Sequence, residues 1–182
     1  MSKKIKWIGL TGLLVAVVAG ATLLYNRLGK EYTGQQVQQN TADTAAAPDF
    51  QVENANGEAV SLKDYRGQPV VINFWASWCY YCKQEMADFE AARQQNPDVA
   101  FLMINVTDGV QETRQSADEY LAGQNFGFDT LYDTQLLAAS AYGIAGLPAT
   151  FFVDSQGNLV AQRRGLIDSS ALQKGIQSIK EE

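Results

Sequence analysis

Two cysteines, Cys79 and Cys82, stand either side of Tyr80-Tyr81, and the chain contains no others. Thiols at this spacing can exchange with a disulfide: one thiolate attacks, and the second resolves the mixed disulfide that forms. The setting carries more weight than the spacing. Val70-Val71-Ile72-Asn73-Phe74-Trp75 has the apolar density of a short buried strand, and Cys82, Met86 and Phe89 recur at i, i+4 and i+7, the period of a helix with one apolar face. A strand that runs into a helix puts Cys79 at the helix N-terminus. Unpaired backbone N–H groups and the helix dipole favour an anion there and so activate the thiol. Cys82, about one turn further in, is expected to be more shielded.

Other uses of the pair fit less well. A zinc site needs more ligands, and the sequence has neither a third cysteine nor any histidine. The lack of histidine also removes the usual haem and copper ligand and both Ser–His and Cys–His catalysis. A purely structural disulfide closing so small a loop would constrain little of the unfolded chain. The expectation is therefore no metal and no cofactor beyond the redox-active pair itself.

Patterning places the strands and helices around the cysteines. Asn56-Gly57 is a hairpin turn signal between Phe50–Glu53 and Glu58–Val60. The strand at 70–75 leads to the cysteines and to a helix ending before Asn96-Pro97. Val99–Val106 is a second buried strand, and Val110, Thr113, Ala117 and Tyr120 mark a second helix. A short strand at Thr130–Tyr132 and a helix over Thr134–Tyr142 come next. Ala149–Val153 and Leu159–Arg163 form a hairpin, and Asp168-Ser169-Ser170 caps a last helix that buries Leu172, Ile176 and Ile179. The order β-α-β, an inserted segment, then β-β-α predicts an α/β domain with a central mixed sheet flanked by helices.

The N-terminal part has another character. Met1–Lys6 is basic, and Trp7–Tyr25 runs without a charge. As a helix those residues would span about 28 Å, close to a bilayer's apolar core, with Trp7 and Tyr25 as interfacial aromatics. Ala19-Gly20-Ala21 also fits a cleavage site, but Leu23, Leu24 and Tyr25 extend the apolar run beyond it, which favours an uncleaved anchor. Glu31–Asp49 is polar and aperiodic, so residues 26–47 are expected as a flexible linker, unless part of it packs on the domain. The division expected is a basic 1–6, a transmembrane signal-anchor helix 7–25, the linker 26–47, and a globular domain 48–182 on the extracytoplasmic side of a membrane. Residues 1–46 hold five basic residues against two acidic ones, so the net charge of −6 hides a strongly acidic globular part. Nucleic acid, which needs clustered Lys and Arg, is not an expected partner.

The segment Asn73-Phe74-Trp75-Ala76-Ser77-Trp78-Cys79-x-x-Cys82-Lys83-x-Glu85 resembles the active-site segment of the thioredoxin superfamily, and in detail the membrane-associated TlpA/ResA-like thiol–disulfide oxidoreductases of bacteria. Ser61-Leu62-Lys63-Asp64-Tyr65-Arg66-Gly67 and Gly146-Leu147-Pro148-Ala149-Thr150-Phe151-Phe152-Val153-Asp154 resemble that family too, as does the inserted segment. The resemblance covers about residues 48–182. It implies a thioredoxin-like fold, with Cys79 attacking, Cys82 resolving, and Pro148 as a cis-proline facing them rather than an ordinary loop proline. The backbone of Leu147 would then be free to pair with a substrate strand. Glu85 becomes a candidate proton carrier, against the plainer reading of a solvated helix charge. Asn73 stands where thioredoxin proper has a buried aspartate and cannot itself titrate.

Tyr80-Tyr81 departs from the proline-containing dipeptide common in these families. With Trp78 the tyrosines could form a docking surface for partners, or one could pack and the other be exposed. Trp75 is expected in the core. The resemblance further implies an exported enzyme that reduces protein disulfides, with roles such as cytochrome c maturation. Its expected partners are exported thiol or disulfide proteins, a membrane-embedded thiol electron carrier of the CcdA/DsbD type, and the membrane. An exported oxidase or isomerase is the alternative, followed by a non-catalytic thioredoxin-like chaperone. Ala76 lies three positions before Cys79, where peroxiredoxins typically place a threonine, and so speaks against a peroxidase.

Overall fold

In a computed structural model, residues 19–22, 38–39 and 45–180 are described. Apart from residues 19–22, the expected anchor 7–25 lies outside them. Among the described residues no helix is long and apolar enough to cross a membrane.

The strands are β1 (Gln38–Gln39), β2 (Gln51–Glu53), β3 (Ala59–Ser61), β4 (Val70–Trp75), β5 (Ala100–Asn105), β6 (Thr130–Tyr132), β7 (Ala149–Val153) and β8 (Leu159–Arg164). The helices are α1 (Tyr80–Gln95), α2 (Arg114–Ala122), α3 (Leu137–Ala141) and α4 (Ser169–Ser178), with a 3-10 turn at Leu62–Tyr65. One sheet runs in the order β1-β8-β7-β4-β5-β6-β2-β3. β4 pairs parallel with β5 and antiparallel with β7, so the sheet is mixed at its centre. This is the thioredoxin-like α/β arrangement that the resemblance implied.

β4 is buried along its whole length because it lies between two cores. Val71 and Trp75 face a cluster with Met86 and Phe89 of α1 and Leu172 and Ile176 of α4. Val70, Ile72 and Phe74 face the other side, with Phe151 of β7 and Ala138 of α3. The alternation follows from the two-residue period of a strand. Each of the large side chains sealed in these cores contributes about 1.5–3 kcal/mol over its exposed state. That anchoring makes the end of β4 a firm platform for the cysteine turn.

Three expectations change. Val110 is not on a helix: it is 89% exposed in a loop, and α2 starts at Arg114 with Thr113 as its N-cap. The helix expected over Thr134–Tyr142 contracts to Leu137–Ala141, because Leu136 takes a left-handed conformation (φ 56°) that interrupts it. In the stretch expected as linker, Gln38 and Gln39 pair with β8, Ala46 bridges to Asn158, and Ala47 is buried.

Candidate functional site

Trp75 and Asn105, the last residues of β4 and β5, are in register. The chain leaves β4 through a turn in which the Cys79 N–H donates to the Ala76 carbonyl at 3.1 Å. α1 begins at the next residue, with Cys79 as its N-cap. The Cys79 Sγ accepts a hydrogen bond from the Cys82 N–H at 3.1 Å, where a helix N-terminus ordinarily seats a serine or aspartate oxygen. Cys79 and Cys82 are joined in a disulfide with Cα atoms 5.3 Å apart. Cys82 is fully buried and Cys79 4% exposed, the order of shielding expected from the sequence.

The rim is aromatic. Trp78, Tyr80 and Tyr81 are all exposed, at 48%, 66% and 55%. The two tyrosines pack edge-on to each other with ring centroids 5.4 Å apart. The expectation that one tyrosine packs into the fold is thus corrected: residues 80 and 81 open α1 before its apolar face begins at Cys82. Trp75, by contrast, is fully buried and packs against Tyr120 of α2, with Lys83 over the other ring.

The Leu147–Pro148 bond is cis. Phe74 pairs with Ala149, so the antiparallel register sets Pro148 beside Trp75, at the same sheet end as the cysteine turn. Leu147 is half-buried and precedes the paired residues of β7.

Glu85 is only 1% exposed, which overturns the reading of a solvated helix charge. Its Oε1 accepts from Asn73 Nδ2 at 2.8 Å, and its Oε2 accepts from the Ile167 N–H at 2.9 Å. Asn73 Nδ2 also reaches Thr150 Oγ1 at 3.2 Å, tying β4, β7 and α1 around one acid, while Asn73 Oδ1 has no partner. Burial pushes the Glu85 carboxyl up to about 7, helped by nearby Asp88 and opposed by the Ile167 and Asn73 hydrogen bonds and the Arg163 charge. An acid with that affinity, three residues along α1 from Cys82, can hold or release a proton near neutrality.

A second buried acid escaped the sequence reading. Glu112 is fully buried and accepts from the N–H and the hydroxyl of Ser77, two residues before Cys79, at 3.0 and 2.8 Å. Asp108-Gly109 signals the turn that delivers it, but nothing local to Glu112 signals its burial. Among the described residues, no group of three or more histidine, cysteine, aspartate or glutamate side chains could hold a metal ion.

The chain matches the AhpC/TSA family model over residues 44–162. It is 33% identical over 158 residues to the thioredoxin-like protein YneN of Bacillus subtilis, covering 84% of this chain and 85% of that one. It is 28% identical to the thiol-disulfide oxidoreductase ResA of Bacillus subtilis, over 99% of this chain and 97% of that one. Among solved structures it resembles the pneumococcal exposed lipoprotein thioredoxin Etrx1 of Streptococcus pneumoniae. That match has a TM-score of 0.64 at 26% identity and covers 74% of this chain and 99% of the other.

Proposed function

We propose, for a chain that belongs to the AhpC/TSA family and is a thiol–disulfide oxidoreductase of the ResA and thioredoxin type, that it reduces disulfides of exported proteins through Cys79 and Cys82 on the extracytoplasmic side of a membrane. The observation that carries the chemistry is the seat of Cys79: N-cap of α1, its Sγ accepting the Cys82 N–H, at the end of a strand sealed between two cores. That seat stabilises a thiolate in the reduced protein.

The Cys79 thiolate attacks a substrate disulfide, a mixed disulfide forms, and one substrate sulfur leaves as thiolate. Cys82 gives up its proton, with Glu85 as the acceptor, and attacks the Cys79 sulfur. The Cys79–Cys82 disulfide forms and the second substrate thiolate leaves, so the substrate gains the two electrons that the enzyme loses. A membrane-embedded dithiol carrier returns them. Trp78, Tyr80, Tyr81 and the Leu147 backbone beside Pro148 form the docking rim, supported by the aromatic exposure and by the register of β7 with β4.

The location rests on the basic residues Lys3, Lys4 and Lys6 ahead of the uncharged run Trp7–Tyr25. The description of Etrx1 as an exposed lipoprotein agrees with it. The deciding measurement is the reduction potential of the purified full chain in dithiol buffers, followed by tryptophan fluorescence. A value near that of thioredoxin, about −270 mV, supports the reductase, whereas one near that of DsbA, about −120 mV, makes the protein an oxidase. No reversible two-electron transition would overturn the exchange chemistry.

A further inference from the structure

The loop after β5 reaches back to the cysteine turn through a single side chain. Glu112 is fully buried, and no lysine or arginine forms an ion pair with it among the described residues. Such an acid is costly unless hydrogen-bond donors surround it. Three do: Oε1 accepts from the Ser77 N–H at 3.0 Å and from Asn105 Nδ2 at 2.8 Å, and Oε2 accepts from Ser77 Oγ at 2.8 Å. Each partner is itself fixed. Ser77 occupies a corner of the turn that Cys79 N–H closes on the Ala76 carbonyl. Asn105 ends β5 opposite Trp75, and its Oδ1 accepts from Thr107 Oγ1 at 2.7 Å, which leaves Nδ2 for Glu112.

The acid is also held from its own side. Asp108 Oδ1 accepts the N–H groups of Val110, Gln111 and Glu112 at 2.8, 2.8 and 2.9 Å. Gly109, at φ 75°, lets the loop turn so that its N–H meets the Glu112 carbonyl at 2.9 Å. A loop with its own scaffold thus delivers one carboxylate to the backbone of the cysteine turn.

We propose that Glu112 is a positioning residue for the thiol–disulfide chemistry, holding the Ala76–Cys79 turn so that Cys79 stays at the N-terminus of α1 when the disulfide is open. In the oxidised protein the disulfide itself ties Cys79 to Cys82. Reduction removes that tie, and the Glu112 grip on Ser77, which involves neither sulfur, persists. Loss of Glu112 therefore harms the reduced state more than the oxidised one. It lets Cys79 drift from the N-terminal N–H groups that favour its thiolate.

The proposal rests on Cys79 as the attacking thiol, and the controls separate the two. If Cys79→Ser retains exchange, that reading fails whatever Glu112 does. The test compares Glu112→Ala and Glu112→Gln in the full chain. The readouts are the reduction potential, the pH profile of Cys79 alkylation by iodoacetamide in a Cys82→Ser background, and melting of both redox states. Glu112→Ala should shift the Cys79 alkylation profile to higher pH, slow exchange about tenfold at pH 7, and destabilise the reduced form more than the oxidised. Glu112→Gln should restore the profile: its oxygen can accept from Ser77 N–H and Asn105, and its amide can donate to Ser77 Oγ. Equal destabilisation of both redox forms, with the parent profile and potential, would make Glu112 a structural residue only and overturn the proposal. If Glu112→Ala does not fold, Glu112→Asp, one methylene short of Ser77, carries the same test: a shifted profile supports the proposal and an unchanged one overturns it.

Discussion

Asn73 donates its side-chain amide to Glu85 at 2.8 Å in the interior, so a residue that cannot titrate seats one that can. Burial first of all raises the Glu85 carboxyl from 4.5 to about 7. The folded protein then binds more protons than the unfolded chain between those values. Stability should accordingly fall as pH rises from about 4.5 to about 7 and level off above that, by about 3 kcal/mol in all. Glu85→Gln, which mimics the protonated acid and can turn an N–H toward a reoriented Asn73 carbonyl, should flatten this slope in urea unfolding of the oxidised protein. An identical slope in both proteins would assign the titration to another group.

The two cysteines should separate by role. Cys79→Ser should reduce disulfide exchange to background, because Cys79 is the sulfur that opens at the helix N-terminus. Cys82→Ser should still attack but accumulate a mixed disulfide on Cys79, since the resolving thiol is missing. Mass spectrometry of each variant after incubation with a disulfide-containing protein distinguishes them, and a stable adduct on Cys82 in Cys79→Ser would reverse the assignment.

The parts of this site that were legible in the sequence depend on local pattern. β4 and β7 fall at Val70–Trp75 and Ala149–Val153 as expected, since both are dense apolar runs between polar or glycine-rich flanks. Asp168 caps α4 as its residue type suggests. Val110 misled because an apolar residue in step with Thr113 and Ala117 imitates a helical face, whereas Asp108 had already captured the amides of 110–112. The burial of Glu85 and Glu112 was not legible for a different reason. Their partners Ile167 and Ser77 lie 82 and 35 residues away, and only the closed sheet brings them together.

Exposure of Trp78, Tyr80 and Tyr81 around a nearly buried Cys79 predicts a division between binding and chemistry. Alanine at any one of these positions should raise KM for a protein substrate about fivefold or more, the scale of truncating one aromatic side chain at an interface. Melting temperature should stay close to the parent's, because none of the three side chains is buried. Turnover of a small disulfide such as oxidised glutathione provides the contrast. If it falls in parallel with the protein substrate, the aromatics serve the cysteines and not docking.

Gly175 in α4 tests how closely the helix must approach the sheet. A methyl group there would meet the Phe152 ring at 2.2–2.6 Å, and Phe152 is fully buried on β7. Two effects oppose each other. Alanine in a helix interior is favoured over glycine by about 1 kcal/mol, while forcing an extra carbon into a packed core costs about 1–3 kcal/mol. The ring has little room, because Phe152 pairs with Val71 of β4 and Ala161 of β8 within a cluster that contains both cysteines. Overpacking should therefore win, and Gly175→Ala should lower unfolding free energy by up to about 2 kcal/mol. Phe152→Leu would make room for the methyl group at a cost of its own. A double-mutant cycle should then show Gly175→Ala to be much less harmful in the Phe152→Leu background, a coupling expected only for side chains that touch. A stabilised Gly175→Ala protein would mean that the ring yields easily and that the α4–β7 approach is not what holds this side of the site.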